Sequence, residues 1–222
     1  MKDTRKINKY AYSLIKVTNS SNIGDSVDGL ISFKAMLKEF PDLRYLLSSK
    51  KVSMEDKLKS INNEFISLEQ IKGERGTLVM FICNHCPYVK AIIEDLVQDC
   101  KNLKKFGINS AAICSNDVKN YPEDSFENMI TFSKENNFSF PYLHDETQEV
   151  AKIYNAVCTP DFFAYNGNLE LQYRGRIKQL KDLKPINSGE SELFKALKLI
   201  SKTGKGPEEQ HPSMGCNIKW IK

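Results

Sequence analysis

The residues best suited to chemistry are Cys83 and Cys86, in the run Cys83-Asn84-His85-Cys86. A Cys-x-x-Cys pair can form a disulfide, exchange it with another thiol, or offer two soft ligands to a metal. The flanking residues narrow the choice. Thr77 to Ile82 is an unbroken apolar and β-branched run, the pattern of a strand buried on both faces of a parallel sheet. Pro87 then suits the first turn of a helix, and Val89, Ile92, Ile93, Leu96 and Val97 recur on one helical face. The pair therefore stands at a helix N-terminus, where unpaired backbone N–H groups and the helix dipole favour a thiolate over a thiol.

The rest of the chain supplies the scaffold. Residues 1 to about 64 read as four helices, the last opened at Ser53 by a capping-box pattern and running toward Phe65. A second fold begins near Ile66. Ser67-Leu68-Glu69-Gln70 is another capping box, Gly107 ends the cysteine helix, and Ile108 to Cys114 makes a second buried strand. Strand, helix and strand at this spacing form a right-handed parallel crossover. Ser125 caps a further helix, and a short one carries Val150, Ala151 and Tyr154. Asn166-Gly167 predicts a hairpin with positive φ at both turn residues, so the sheet turns antiparallel there. The last helix spans about Ser191 to Ser201. The tail from Gly204 is expected to be irregular, yet Met214 to Trp220 is too rich in Cys and Trp to hang free.

Composition sets the class. The 222 residues are 41% apolar and 27% charged, which is ordinary for a globular protein with a real core. A net charge of +4 with interspersed acids argues against nucleic-acid binding, since no basic patch carries interleaved aromatics. The Lys101, Lys104 and Lys105 cluster reads as a solvated helix face. No apolar run approaches the roughly 20 residues that span a bilayer. No secretory signal follows Met1, so the cytoplasm is the expected compartment, where the chain's 6 cysteines point to catalytic, redox or metal roles.

The C-terminal two-thirds, from about Ile66 to Lys222, resembles the thioredoxin and peroxiredoxin superfamily, and within it the peroxiredoxin-like, AhpC/TSA-related branch. The resemblance rests on Phe81-Ile82-Cys83-Asn84-His85-Cys86-Pro87-Tyr88-Val89-Lys90, on Ser115-Asn116-Asp117, Tyr121-Pro122-Glu123-Asp124 and Cys158-Thr159-Pro160-Asp161, and on Gly215-Cys216-Asn217-Ile218-Lys219-Trp220. It implies an α/β thioredoxin-like fold, a mixed central sheet flanked by helices. It makes Cys83 the exposed nucleophile and Cys86 the resolving thiol of a thiol–disulfide oxidoreductase that needs no cofactor. His85, beside the pair, would stabilise the Cys83 thiolate, which is thus expected to be more acidic than a free thiol of pKa about 8.5. Pro160 would be cis, placing Thr159 against the disulfide and offering its backbone to a substrate strand. The substrate would be a protein or small-molecule thiol or disulfide.

Residues 1–65 resemble part of the N-terminal helical bundle of the ATP synthase delta subunit, through Lys9 to Leu14, Glu39 to Ser49 and Val52 to Lys57. This implies an all-α appendage ahead of a domain over 66–222, with a possible contact to the synthase stalk. Two other functions stay open. In one, Cys83, Cys86, His85, Cys158 and Cys216 hold a metal, or the chain is a binding module without redox turnover. The other is an antioxidant thiol peroxidase. Peroxiredoxins carry Pro-x-x-x-Thr-x-x-Cys, but counting back from Cys86 gives Cys83 and Val79, and from Cys83 gives Met80 and Gly76, so this pocket is missing. Cys158 and Cys216 are candidates for additional redox steps, Cys100 and Cys114 read as buried apolar residues, and His144 and His211 read as solvated.

Overall fold

The computed structural model describes residues 57–222. The helices read over residues 1–56, and with them the basis of the stalk contact, lie outside the described residues. In chain order the strands are β1 (Lys57–Ser60), β2 (Phe65–Ser67), β3 (Gly76–Phe81), β4 (Ile108–Cys114), β5 (Tyr142–His144), β6 (Cys158–Thr159), β7 (Asp161–Asn166) and β8 (Leu171–Arg174), then the ribbon strands β9 (Leu180–Lys181) and β10 (Lys184–Pro185), and β11 (Cys216–Asn217) in the tail. The helices are α1 (Leu68–Ile71), α2 (Pro87–Leu103), α3 (Phe126–Glu135), α4 (Glu149–Ile153) and α5 (Glu192–Thr203).

The main sheet runs β2-β1-β5-β4-β3-β7-β8. β3 pairs parallel with β4 and antiparallel with β7, and β4 pairs parallel with β5. All of β3 is buried, as an unbroken apolar run requires. Its alternate residues serve two cores. Leu78 and Met80 join Val89, Ile92 and Leu96 of α2 and Leu193 and Leu197 of α5, while Val79 and Phe81 join Phe163, Tyr154 and Ala151 on the other face. Each large side chain so buried contributes about 1.5–3 kcal/mol. The capping box of Ser67 and Gln70, the Ser125 and Ser191 caps and the left-handed Gly107 at φ 73° all form where their residue types place them.

Two expectations fail. The last part of the fourth helix is instead the β1–β2 hairpin, which joins the sheet through β5, so the sheet begins ahead of Ile66. Leu58 opposite Ile66 packs on the second core, and Asn63 takes a φ of 64° at the turn, so cross-strand burial outweighs a helix over Lys57 to Phe65, while the helix start read at Ser53 lies outside the described residues. At the second hairpin the positive φ falls on Leu169, at 61°. The Asn166 side chain accepts from the Asn168 and Glu170 N–H groups, each at 3.0 Å, which makes a longer turn than Asn-Gly alone suggests. Gly167 is needed there for close approach, since a Cβ would lie 2.6 Å from the Glu74 carbonyl oxygen.

The tail is anchored. β11 pairs antiparallel with β6, Cys216 opposite Thr159 and Asn217 opposite Cys158. Ile218 is buried, the Lys219 N–H donates to Asn116 Oδ1 at 2.8 Å, and Gln148 Nε2 donates to the Lys219 carbonyl at 2.7 Å. A Cβ on Gly215 would collide with the Thr159 carbonyl oxygen. Gly215→Ala is therefore expected to cost about 1–3 kcal/mol in denaturant unfolding; unchanged stability would show that the tail does not seat against Thr159.

Candidate active site

Cys83 and Cys86 lie between the end of β3 and the start of α2, with Cys86 as the N-cap residue and Pro87 in the first turn. Asp124 fixes this loop. It arrives from the single 3-10 turn Pro122–Asp124 that precedes α3, and it is 0% exposed. Its Oδ1 accepts from the backbone N–H of Asn84 at 2.8 Å and of His85 at 3.3 Å. Its Oδ2 lies 2.7 Å from His85 Nδ1 and accepts from Asn116 Nδ2 at 2.7 Å. The carboxylate makes Nδ1 the protonated ring nitrogen. Tyr121 stacks on the His85 ring at a centroid distance of 5.7 Å. The Tyr142 hydroxyl donates to Asn84 Oδ1 at 2.9 Å, and Asn84 Nδ2 donates to the Glu123 carbonyl at 3.0 Å. None of Asp124, Asn84, Asn116 and Tyr142 had a role in the sequence reading, although the motifs containing Asp124, Asn84 and Asn116 carried the family resemblance.

Facing this loop is the turn between β6 and β7, where the Thr159–Pro160 peptide is cis. Thr159 touches both cysteines. Its Oγ1 lies 3.3 Å from Cys83 Sγ, and its carbonyl oxygen 3.0 Å from Cys86 Sγ. The backbone of Thr159, expected to receive a substrate strand, is instead engaged by the chain's own β11. Cys83 is not the exposed thiol that the resemblance implied: it is 1% exposed and Cys86 0%. Cys216, half-buried, is the most accessible of the described cysteines.

The charge on the pair also differs from expectation. The hydrogen bond with Cys86, then burial and the Asp124 carboxylate, push the Cys83 thiol up. Cys86 is pulled down to about 4, first by that Cys83 hydrogen bond and then, against burial, by the backbone N–H groups of Cys216 and Val89 and by the Cys216 thiol. The acidic thiol is Cys86, at the helix N-cap, rather than Cys83.

Burial pushes the other thiols up. Cys100 and Cys114 reach about 12 in the apolar core, as their small-hydrophobe reading suggests. Cys158 also reaches about 12, and its thiol donates to the Pro160 carbonyl at 3.4 Å rather than to the pair. His144 is not in a solvated loop: it lies in β5 with its ring half-buried. His211 is partly exposed and pairs with Glu192 at 3.0 Å. Cys83 Sγ, a ring nitrogen of His85 and an oxygen of Asp124 lie within 4.8 Å of one another, near enough for a metal. Both Asp124 oxygens are already occupied by donors, so an ion would have to displace bonds that hold the loop. No helix among the described residues is long and apolar enough to cross a membrane.

No curated protein matches the chain. A conserved protein from Geobacillus kaustophilus, described as uncharacterized, is 43% identical, with 74% of this chain and 88% of its own covered, at a TM-score of 0.67. A hypothetical protein from Sinorhizobium meliloti 1021 is 35% identical over 75% of this chain and 91% of its own, at a TM-score of 0.69. The dsbF protein of MTB, solved in mixed oxidized and reduced forms, shares the fold at 13% identity, with 66% and 96% coverage and a TM-score of 0.51. With a thioredoxin-like sheet, a cysteine pair at a helix N-terminus, and residues 51–180 matching the family directly, this chain belongs to the AhpC/TSA family.

Proposed function

We propose that the protein is a thiol–disulfide oxidoreductase that cycles Cys83 and Cys86 between dithiol and disulfide. The observation that carries this reading is the placement of the two sulfurs at the N-terminus of α2, with Thr159 against both, its Oγ1 3.3 Å from Cys83 Sγ and its carbonyl 3.0 Å from Cys86 Sγ. Family membership supports redox chemistry in general. Cys83 attacks the oxidised sulfur of a protein or small-molecule substrate and passes its proton to the Cys86 thiolate, the acceptor already in contact with it. The substrate sulfur leaves as a thiolate, and a mixed disulfide joins Cys83 to the substrate. Cys86 then attacks Cys83 Sγ, its proton passing to the departing substrate sulfur, so that a Cys83–Cys86 disulfide forms and the second substrate sulfur leaves as a thiol. Thr159 and Pro160 shape the approach, and the His85–Asp124 pair handles the proton on the Cys83 side.

Three measurements bear on this cycle. Across a glutathione redox series, mass spectrometry of the alkylated, metal-free protein is expected to show reversible two-electron conversion of the pair, and Cys83→Ser or Cys86→Ser should cut disulfide reduction by about a hundredfold or more. A pair that stays reduced throughout, in protein isolated with stoichiometric metal, would replace this reading with the metal-holding one, and consumption of peroxide with a thiol donor would favour the peroxidase.

In a thiolate absorbance titration, the reduced protein should carry one thiolate at neutral pH that is lost only as pH falls toward about 4, and Cys86→Ser should abolish it. No thiolate at neutral pH would mean that both thiols are protonated. Asp124→Asn removes a negative charge beside Cys83, so the Cys83 titration should move down in pH while stability falls by about 1–3 kcal/mol. An unmoved titration would uncouple the carboxylate from the thiol.

A further inference from the structure

We infer that Cys216 is the third cysteine of the cycle, opening the Cys83–Cys86 disulfide from its Cys86 side and carrying the oxidation out to the surface. The inference rests on the redox reading of Cys83 and Cys86 and adds the route by which that pair is re-reduced.

Position carries the argument. In the register of β11 on β6, Cys216 stands opposite Thr159, whose carbonyl is 3.0 Å from Cys86 Sγ. Cys216 packs on the core cluster that holds Cys83 and Cys86, and its backbone N–H and thiol help pull the Cys86 thiol down. Thr159 is thus the shared neighbour of the series Cys83, Cys86 and Cys216: its Oγ1 lies 3.3 Å from Cys83 Sγ, its carbonyl 3.0 Å from Cys86 Sγ, and Cys216 pairs opposite it. Accessibility runs outward along this series, from Cys83 and Cys86 at 1% and 0% to the half-buried Cys216 beside the 60% exposed Met214. A reducing thiol from solution meets Cys216 first.

The tail is built to hold that place. Asn116 and Gln148, both buried, bind it on the far side of Cys216: Asn116 Oδ1 accepts from the Lys219 N–H, and Gln148 donates to the Lys219 carbonyl while accepting from the Ile221 N–H at 2.8 Å. The Asp117 N–H donates to the same Lys219 carbonyl at 2.8 Å. On the near side, Gly215 leaves no room between the strand and Thr159.

The exchange balances without an outside oxidant. Cys216 gives up its proton, its sulfur bonds to Cys86 Sγ, the Cys83–Cys86 bond breaks, and Cys83 takes up a proton. One disulfide replaces another, and no electrons are gained or lost. An external dithiol then attacks Cys216 Sγ, forms a mixed disulfide and expels the Cys86 thiolate. Its second thiol attacks that bond, so the dithiol leaves as a disulfide and Cys216 returns reduced.

The test uses the full chain carrying Cys83→Ser, treated with oxidised glutathione, alkylated and mapped by mass spectrometry without reduction. The expected product is an internal Cys86–Cys216 disulfide, replaced by glutathione on Cys86 in the Cys83→Ser, Cys216→Ser double variant. Glutathione on Cys86 beside a freely alkylated Cys216 in the single variant would overturn the relay. Should Cys83→Ser fail to fold by circular dichroism, the Cys216→Ser variant decides: reduction of its Cys83–Cys86 disulfide by dithiothreitol is expected to slow about tenfold or more, and an unchanged rate overturns the relay. A wild-type protein that never forms the Cys83–Cys86 disulfide would refute the parent reading. One that forms it while the trap stays empty would refute the relay alone.

Discussion

One buried carboxylate holds the cysteine loop in place. Asp124 is fully enclosed and meets four donors: two backbone N–H groups of the loop, the His85 ring and the Asn116 amide. A buried charge with its lone pairs unfilled costs several kcal/mol, whereas hydrogen bonds to a charged group contribute about 1.5–3 kcal/mol each. Asp124 and the loop therefore fold together or not at all. Asn116 extends the constraint, because the side chain that donates to Asp124 also accepts from the tail at Lys219. The β3–α2 loop, the turn before α3 and the C-terminal strand are thus fixed relative to one another through a single hydrogen-bonded set.

A second carboxylate does the same for the opposing wall. Asp161, at the start of β7, pairs with Arg174 at 3.0 Å and accepts from the Val157 N–H at 3.2 Å. Arg174 lies over the Phe163 ring, 4.6 Å from its centroid. Burial pushes the Asp161 carboxyl up and the guanidinium pulls it back, so the pair gives little net stability for its cost. What it supplies is position: Thr159 and Pro160 are held between this ion pair and the strand pairing of β6 with β11. The site lies where the two fixed walls meet.

The parts of this arrangement legible in sequence are those coded locally. β3, α2, the Pro87 first turn and the serine caps each follow from a short window, and all appear where their windows place them. Long-range packing decides the rest. Lys57 to Phe65 reads as the end of a helix, but Leu58 and Ile66 pair across a hairpin and pack on the second core. Asp124 reads as one more acid in a polar turn, because its partners Asn84 and His85 lie 40 and 39 residues away. The acidity assigned to Cys83 went to Cys86 for the same reason. A helix N-terminus favours a thiolate somewhere in the pair; the hydrogen bond between the two sulfurs splits them, and the Asp124 carboxylate beside Cys83 and the Cys216 N–H beside Cys86 add to the split.

That asymmetry gives the proposed cycle a direction. In thiol–disulfide exchange the better leaving group is the sulfur with the lower pKa. A thiol attacking Cys83 Sγ of the disulfide expels Cys86, whose negative charge is received by the Cys216 and Val89 N–H groups. The same holds when a dithiol attacks Cys216 Sγ of the relayed disulfide, since Cys86 again departs. Attack on Cys86 by Cys216 is the harder step, because it expels Cys83 next to the Asp124 carboxylate, where a thiolate is disfavoured. Cys83 must therefore be protonated as it leaves. The group beside it that can deliver a proton is His85, which lies within the 4.8 Å cluster and is itself held by Asp124. On this cycle the carboxylate that makes Cys83 a poor anion is the one that positions its proton donor, so Asp124 both raises the barrier to expelling a thiolate and supplies the route around it.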